Sequence, residues 1–118
     1  MSVLTWIGVA LLGGAGAVAR FVVDGAVAER ATAELPVGTL VVNLSGAFLL
    51  GVVTGLALSG DALLLVGTAT LGSYTTFSTW MLETQRLVEE GEGRVAAVNI
   101  VLSLVAGVAA VALGRALG

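Results

Sequence analysis

Four apolar stretches divide the chain, at residues 3–23, 37–58, 62–88 and 95–117, and short polar segments separate them. A helix needs about 20 apolar residues to cross the hydrocarbon of a bilayer. The pattern therefore predicts an all-α membrane protein with four transmembrane helices. The first connection, "DGAVAERATAEL", carries Asp24, Glu29, Arg30 and Glu34 and reads as a loop or interfacial segment. Pro36, the only proline, suits the first turn of the second helix, where its missing N–H costs nothing. Ser59, Gly60 and Asp61 read as a tight turn, and "EEGEGR" as the third connection. Short links between four helices imply one up-down domain over residues 1–118, with both termini on one side.

The third stretch breaks the pattern. Residues 72–80 read "GSYTTFSTW", with six hydroxyls in nine residues opened by a glycine. Serine and threonine can return hydrogen bonds to their own helix, which accounts for one or two of them. It does not account for the cluster. The segment reads as a helix broken near residues 72–76, which membrane depth tolerates only where protein or water surrounds the freed backbone. Such breaks form ion sites, with carbonyls for cations and amides or hydroxyls for anions.

Composition narrows the function further. The chain is 58% hydrophobic and 11% charged, with a mean hydropathy of +1.08, too few charges to cover a water-facing surface. It has no histidine and no cysteine, so imidazole bases, thiol nucleophiles and nearly all zinc sites drop out. With a net charge of −3 and no lysine, it lacks the basic stripe of a nucleic-acid binder. The N-terminal apolar run lacks the positive flank of a signal peptide and reads as a retained first helix. Arg30, Arg86 and Arg94 fall with the first and third connections and Arg115 with the opposite side, a slight lean toward a cytoplasmic first connection.

Other polar groups line up with the break. Thr39, Asn43 and Thr54 share one face of the second helix, with Gly46 beside them, and Asn99 and Ser103 lie four apart on the fourth. Arg20 ends "GGAGAVAR" in the first helix, placed either to snorkel to headgroups or to face a vestibule that draws in anions. Seventeen glycines, among them the Gly51–Gly55 pair of "GVVTG" and Gly107 and Gly114, favour close helix contact and oligomerisation.

Two of these stretches, "GTLVVNLSGAFLLG" (Gly38 to Gly51) and "TTFSTW" (Thr75 to Trp80), resemble the signatures of the Fluc fluoride channels, also called CrcB proteins. Those signatures are roughly GTLxxNxxGxFxxG on the second helix and GxxTTFSTF on the third. Length, span number and the early "GGxGAxxR" pattern agree as well. The resemblance implies an antiparallel, dual-topology dimer in the cell membrane, with two fluoride pathways along the subunit interface. It implies that Asn43 donates its amide to fluoride, Phe77 its ring edge, and Ser78 and Thr79 their hydroxyls. Thr39, Trp80 and Ser103 join the pathway, Arg20 lines its entrance, and Glu83 matches an acidic position beside it. Gly72 and Thr75 are expected to give backbone carbonyls to a structural sodium ion between the subunits.

Two positions depart from the family pattern. Trp80 replaces a phenylalanine, adding bulk and an N–H, and Asn99 stands where a tyrosine is usual. Both changes leave open a heterodimer in which this chain is the half with a degenerate pore. A small multidrug exporter, also of four helices, needs a membrane-embedded carboxylate in the first helix, and none lies between Met1 and Val23. An enzyme is disfavoured, since Ser78 has no histidine or lysine to act as its base.

Overall fold

A computed structural model of the chain describes residues 1–31 and 35–118; Glu34, expected in the first connection, lies outside the described residues. Helix α1 spans Val3–Arg30. Ser2 caps it, its Oγ accepting the Thr5 N–H at 3.1 Å, as a serine before a helix does. The helix does not stop near Val23. Asp24, Glu29 and Arg30, expected in a loop, continue it for seven residues. Apart from Gly25, nothing in that stretch breaks a helix, and Arg30 in the last turn complements the negative end of the helix dipole.

Helix α2 spans Val37–Gly55, with Pro36 just before it. It ends three residues earlier than residue 58. The chain turns at Leu56 and Ala57, where Ala57 takes a left-handed φ of 57°, and Gly60 (φ 59°) opens the next helix. The expected turn at Ser59–Asp61 is thus displaced, and Asp61 falls in the first helical turn. There it meets α1, because Thr5 Oγ1 donates to Asp61 Oδ2 at 3.1 Å.

The third apolar stretch is the irregular one. Helix α3 (Gly60–Leu63) widens into a π-helical stretch, Leu64–Leu71, and tightens again as α4 (Gly72–Tyr74). Thr75 then leaves helical geometry at φ −81°, ψ 162°, and helix resumes as α5 (Ser78–Glu89). The interruption therefore covers residues 75–77, overlapping the expected range near 72–76, but Gly72 itself is helical (φ −63°, ψ −36°). A turn with Gly91 at φ 80° leads to α6, Gly93–Leu117. Among the described residues α1, α2 and α6 are long and apolar enough to cross a membrane, and no strand forms.

Helix α2 packs most extensively on α6. The contact is backbone to backbone. A Cβ on Gly51 would collide with the Val111 carbonyl and one on Gly55 with the Arg115 carbonyl; reciprocally, one on Gly114 would strike the Phe48 carbonyl and one on Gly118 the Val52 carbonyl. The Gly51–Gly55 pair thus faces Gly114 and Gly118 within the same subunit, which is how small residues bring membrane helices close. Helix α1 lies against the π-helical stretch in the same manner, with Gly16 under the Thr70 carbonyl and Ser73 Oγ.

The interior is small. Val42, Val53, Ala69, Leu71, Leu87 and Ala96 are the buried apolar residues, while Leu4 and Phe21 on α1 and Val108 on α6 are each more than 70% exposed. Apolar surface this continuous is not stable against water. It suits a chain whose outer faces meet lipid or a second protein.

Candidate functional site

The site forms where the break in the third stretch meets the middle of α2. Asn43 projects from α2 and grips the break by a pair of hydrogen bonds. Its Nδ2 donates to the Thr76 carbonyl at 2.8 Å, and the Thr76 N–H donates to its Oδ1 at 2.8 Å. The side-chain amide thus pairs both backbone groups of a residue outside the helix, which is what non-helical backbone at membrane depth requires. One N–H of the Asn43 amide is left for another acceptor. Three residues on, Gly46 gives the break room: a Cβ there would collide with Thr75 Cγ2 and sit 3.3 Å from the Tyr74 ring.

Local bonds explain where helix stops and restarts. The Thr75 N–H donates to the Leu71 carbonyl at 3.0 Å, and Thr75 Oγ1 donates to the same carbonyl at 3.1 Å. Beyond the break, Thr76 Oγ1 accepts the Thr79 N–H at 3.2 Å, capping α5 from three residues upstream. The Met81 N–H then reaches the Phe77 carbonyl at 3.0 Å.

The six hydroxyls of "GSYTTFSTW" divide by partner. Ser73 Oγ donates back to the Ala69 carbonyl at 2.7 Å. Tyr74 OH meets Ser45 Oγ at 2.9 Å, and since Ser45 donates to the Val42 carbonyl, the tyrosine is the donor. Thr75 and Thr76 serve the break. The Ser78 and Thr79 hydroxyls have no hydrogen bond among the described residues, and Ser78 is exposed. The intrahelical reading thus accounts for Ser73 and Thr75, while four hydroxyls do something else.

Around the break lies an open cleft of ≈ 390 Å³. It brings together five of the expected site residues, Asn43, Gly72, Thr75, Phe77 and Trp80, and its wall also includes Thr76, Ala47, Leu50 and Val111. The Phe77 and Trp80 rings meet edge to face, their centroids 5.7 Å apart at 79°. Phe77 is 70% exposed. Trp80 Nε1 is shielded from solvent and has no acceptor among the described residues.

The other expected residues lie elsewhere. Thr39 is buried one turn before Asn43, its Oγ1 without a partner among the described residues. It neighbours Glu83, which has Asp24 and Arg86 nearby and borders a separate hollow with Pro36 and Glu90. Thr54, read as sharing the Asn43 face, is exposed and bonded to its own helix through the Gly51 carbonyl. Ser103 lines a neighbouring apolar groove on α6 with Gly107 and Arg115, which shares Ala47 and Val111 with the cleft. Arg20 is half-buried, its Nε unpartnered among the described residues.

Sequence reading missed the role of Thr76, whose backbone takes both Asn43 bonds. Asn99, read from the sequence as a polar partner of Ser103 and a departure from the family's tyrosine, is 1% exposed and donates to Thr84 Oγ1 at 3.0 Å, a bond the sequence did not indicate. Thr84 in turn donates to the Trp80 carbonyl at 2.8 Å. Asn99 therefore fastens α5 to α6 and stands one step behind Trp80.

The sequence carries the same relationship. The family model described as CrcB-like protein, Camphor Resistance (CrcB), matches residues 7–115. A protein of Mycolicibacterium paratuberculosis named "Fluoride-specific ion channel FluC 2" is 65% identical over 116 residues, covering 98% of this chain and 95% of its own. One of the same name from Mycobacterium bovis is 56% identical, covering 98% and 91%. "Fluoride-specific ion channel FluC 1" of Symbiobacterium thermophilum is 40% identical, covering 98% of each chain.

Proposed function

We propose, from the premise that the chain belongs to the CrcB-like family, that it is a fluoride-specific ion channel, a multi-pass membrane protein that lets fluoride leave the cell passively. The observation that carries this reading is the cleft at the break, where the Asn43 amide, the exposed Phe77 ring and the unpartnered Trp80 N–H converge.

Fluoride is the smallest halide and holds its water tightly, so a pathway must replace that water with strong donors. Amide and hydroxyl protons are such donors. The free N–H of Asn43 and the hydroxyls of Ser78 and Thr79 supply them along the break and the start of α5. Aromatic rings carry positive charge on their edges, which suits Phe77 to meet an anion edge-on. Thr39 and Ser103 extend the polar row to either side. Arg20 and Glu83 set the charge toward the mouths. Chloride, larger and a weaker acceptor, gains less from the same groups.

A single subunit leaves this cleft open and its apolar flanks bare. The proposed assembly is an antiparallel dimer of four-span subunits, in which a second copy closes the cleft and makes two pathways. The third stretch, α3 through α5, then serves as the fourth span. Fluoride that enters a cell as the neutral acid and dissociates inside would leave by this route.

The family resemblance also implies a sodium ion at the dimer centre, held by the Gly72 and Thr75 carbonyls. The donors fit. The Thr76 N–H, which an unbroken helix would give to the Gly72 carbonyl, is bonded to Asn43 instead. Neutral carbonyls suit a hard monovalent cation, and no cluster of three acidic, histidine or cysteine side chains competes among the described residues. Sodium there would supply fixed positive charge between the two breaks.

Trp80 favours a second reading, a heterodimer in which this chain is the degenerate half, because its indole fills part of the cleft that a phenyl ring would leave open. Growth separates the two. A bacterial strain deprived of its own fluoride exporter should regain growth in fluoride when this chain alone is expressed. Rescue only with a homologous partner would favour the heterodimer.

A further inference from the structure

We infer that Asn43 is a positioning residue for the cation site: by taking the Thr76 N–H it leaves the Gly72 carbonyl open as a ligand. The inference rests on the sodium reading above, and it gives Asn43 a task separate from donating to the anion.

In an α-helix each carbonyl accepts the N–H four residues later. At the edge of the break, where the π-helical stretch has tightened, this holds, since Leu71 receives the Thr75 N–H at 3.0 Å. Gly72 is next, and its donor would be Thr76. That N–H points instead to Asn43 Oδ1 at 2.8 Å, and the far side of the same residue is fixed by Nδ2 on the Thr76 carbonyl at 2.8 Å. With both its N–H and its C=O held from α2, Thr76 cannot rotate back into helical register without losing two bonds. The Gly72 carbonyl therefore loses its helical amide donor to Asn43, and Gly72 lines the cleft. Gly46 is part of the same device, because only a residue without Cβ lets Thr75 approach α2 closely enough for Asn43 to reach.

Without the asparagine, the half-buried Thr76 N–H lacks its partner, and the helical acceptor open to it is the Gly72 carbonyl. Satisfying it there closes one more helical turn and takes a ligand from the cation. Anion donation and cation binding are thus coupled through one side chain, and they can be separated experimentally.

The test is thermal unfolding of the purified protein in detergent, titrated with sodium chloride against N-methyl-D-glucamine chloride. An ion that binds only the folded state raises the midpoint with a saturating dose response. The wild type should show that response and Asn43→Ala should need at least tenfold more sodium. Adding Thr76→Pro to Asn43→Ala should restore the response, because proline has no N–H to offer Gly72. Thr75 before it already has the extended backbone a following proline demands (φ −81°, ψ 162°). Phe77→Ile should keep the sodium response while losing fluoride flux.

A wild-type sodium midpoint in Asn43→Ala would overturn the inference. If that variant does not fold, the double variant decides, and a folded double variant blind to sodium would overturn it. A wild type that ignores sodium altogether would remove the sodium reading, and this inference with it.

Discussion

Phe77, the last residue of the break, and Trp80, in the first turn of α5, pack edge to face, with centroids 5.7 Å apart at 79°. The geometry turns one aromatic edge into its neighbour and leaves Phe77 70% exposed at the cleft. The pair lines the same cleft as Asn43.

Phe77→Ile removes the ring and keeps a similar apolar volume. Because the side chain is exposed in the subunit, folding should survive. Fluoride efflux from liposomes is expected to fall at least tenfold, while gel filtration still shows the wild-type assembly. Unchanged efflux would remove the ring edge from the pathway.

Trp80→Phe deletes a shielded N–H that has no acceptor among the described residues. Replacing an unsatisfied donor by an apolar group is close to neutral or stabilising, so the unfolding midpoint should not drop. Efflux should stay within about threefold of wild type if the indole is merely accommodated. A rise well beyond that would mark the native chain as a weakened half and favour the heterodimer.

Asn99→Ala strands a structural pair and leaves the pathway residues in place. Asn99 is almost wholly buried and bonds Thr84, which bonds the Trp80 carbonyl. Loss of such a buried bond costs about 1–3 kcal/mol. The midpoint should fall, with the preference for fluoride over chloride unchanged. A loss of selectivity without a loss of stability would place Asn99 in the pathway after all.

Gly114→Leu and Gly14→Ala contrast two glycines of one membrane protein. A side chain on Gly114 meets the Phe48 carbonyl and the Val52 nitrogen, whereas nothing lies within 4 Å of a Cβ on Gly14. The first should destabilise by about 1–3 kcal/mol or more through overpacking. The second should be neutral or gain roughly 0.5–1 kcal/mol from restricting the unfolded backbone of a helical glycine. Equal effects on the unfolding midpoint would contradict the α2–α6 contact.

What the sequence made legible follows from the range of the forces involved. The apolar runs that became α1, α2 and α6 were readable because lipid-facing helices are specified residue by residue. The overhang of α1 to Arg30 was not, since hydropathy marks where apolar sequence ends and α1 continues through polar helix formers. The break was foreseen from its hydroxyls near residues 72–76, and the observed interruption at 75–77 overlaps that range but leaves Gly72 helical. Its actual position depends on Asn43, 33 residues away from Thr76, and no local propensity reports a hydrogen bond of that span. The Gly51–Gly55 motif was visible, but its partner was a matter of tertiary packing, and Gly114 and Gly118 of the same chain occupy it. Likewise the Asn99–Thr84 bond joins two helices whose contact the pattern alone does not specify.

The most direct test of the central claim is fluoride efflux from liposomes containing only this purified chain, followed with a fluoride electrode and with chloride as the control ion. The account predicts rapid fluoride loss with little chloride loss. A well-folded preparation that releases neither ion, or both alike, would contradict it.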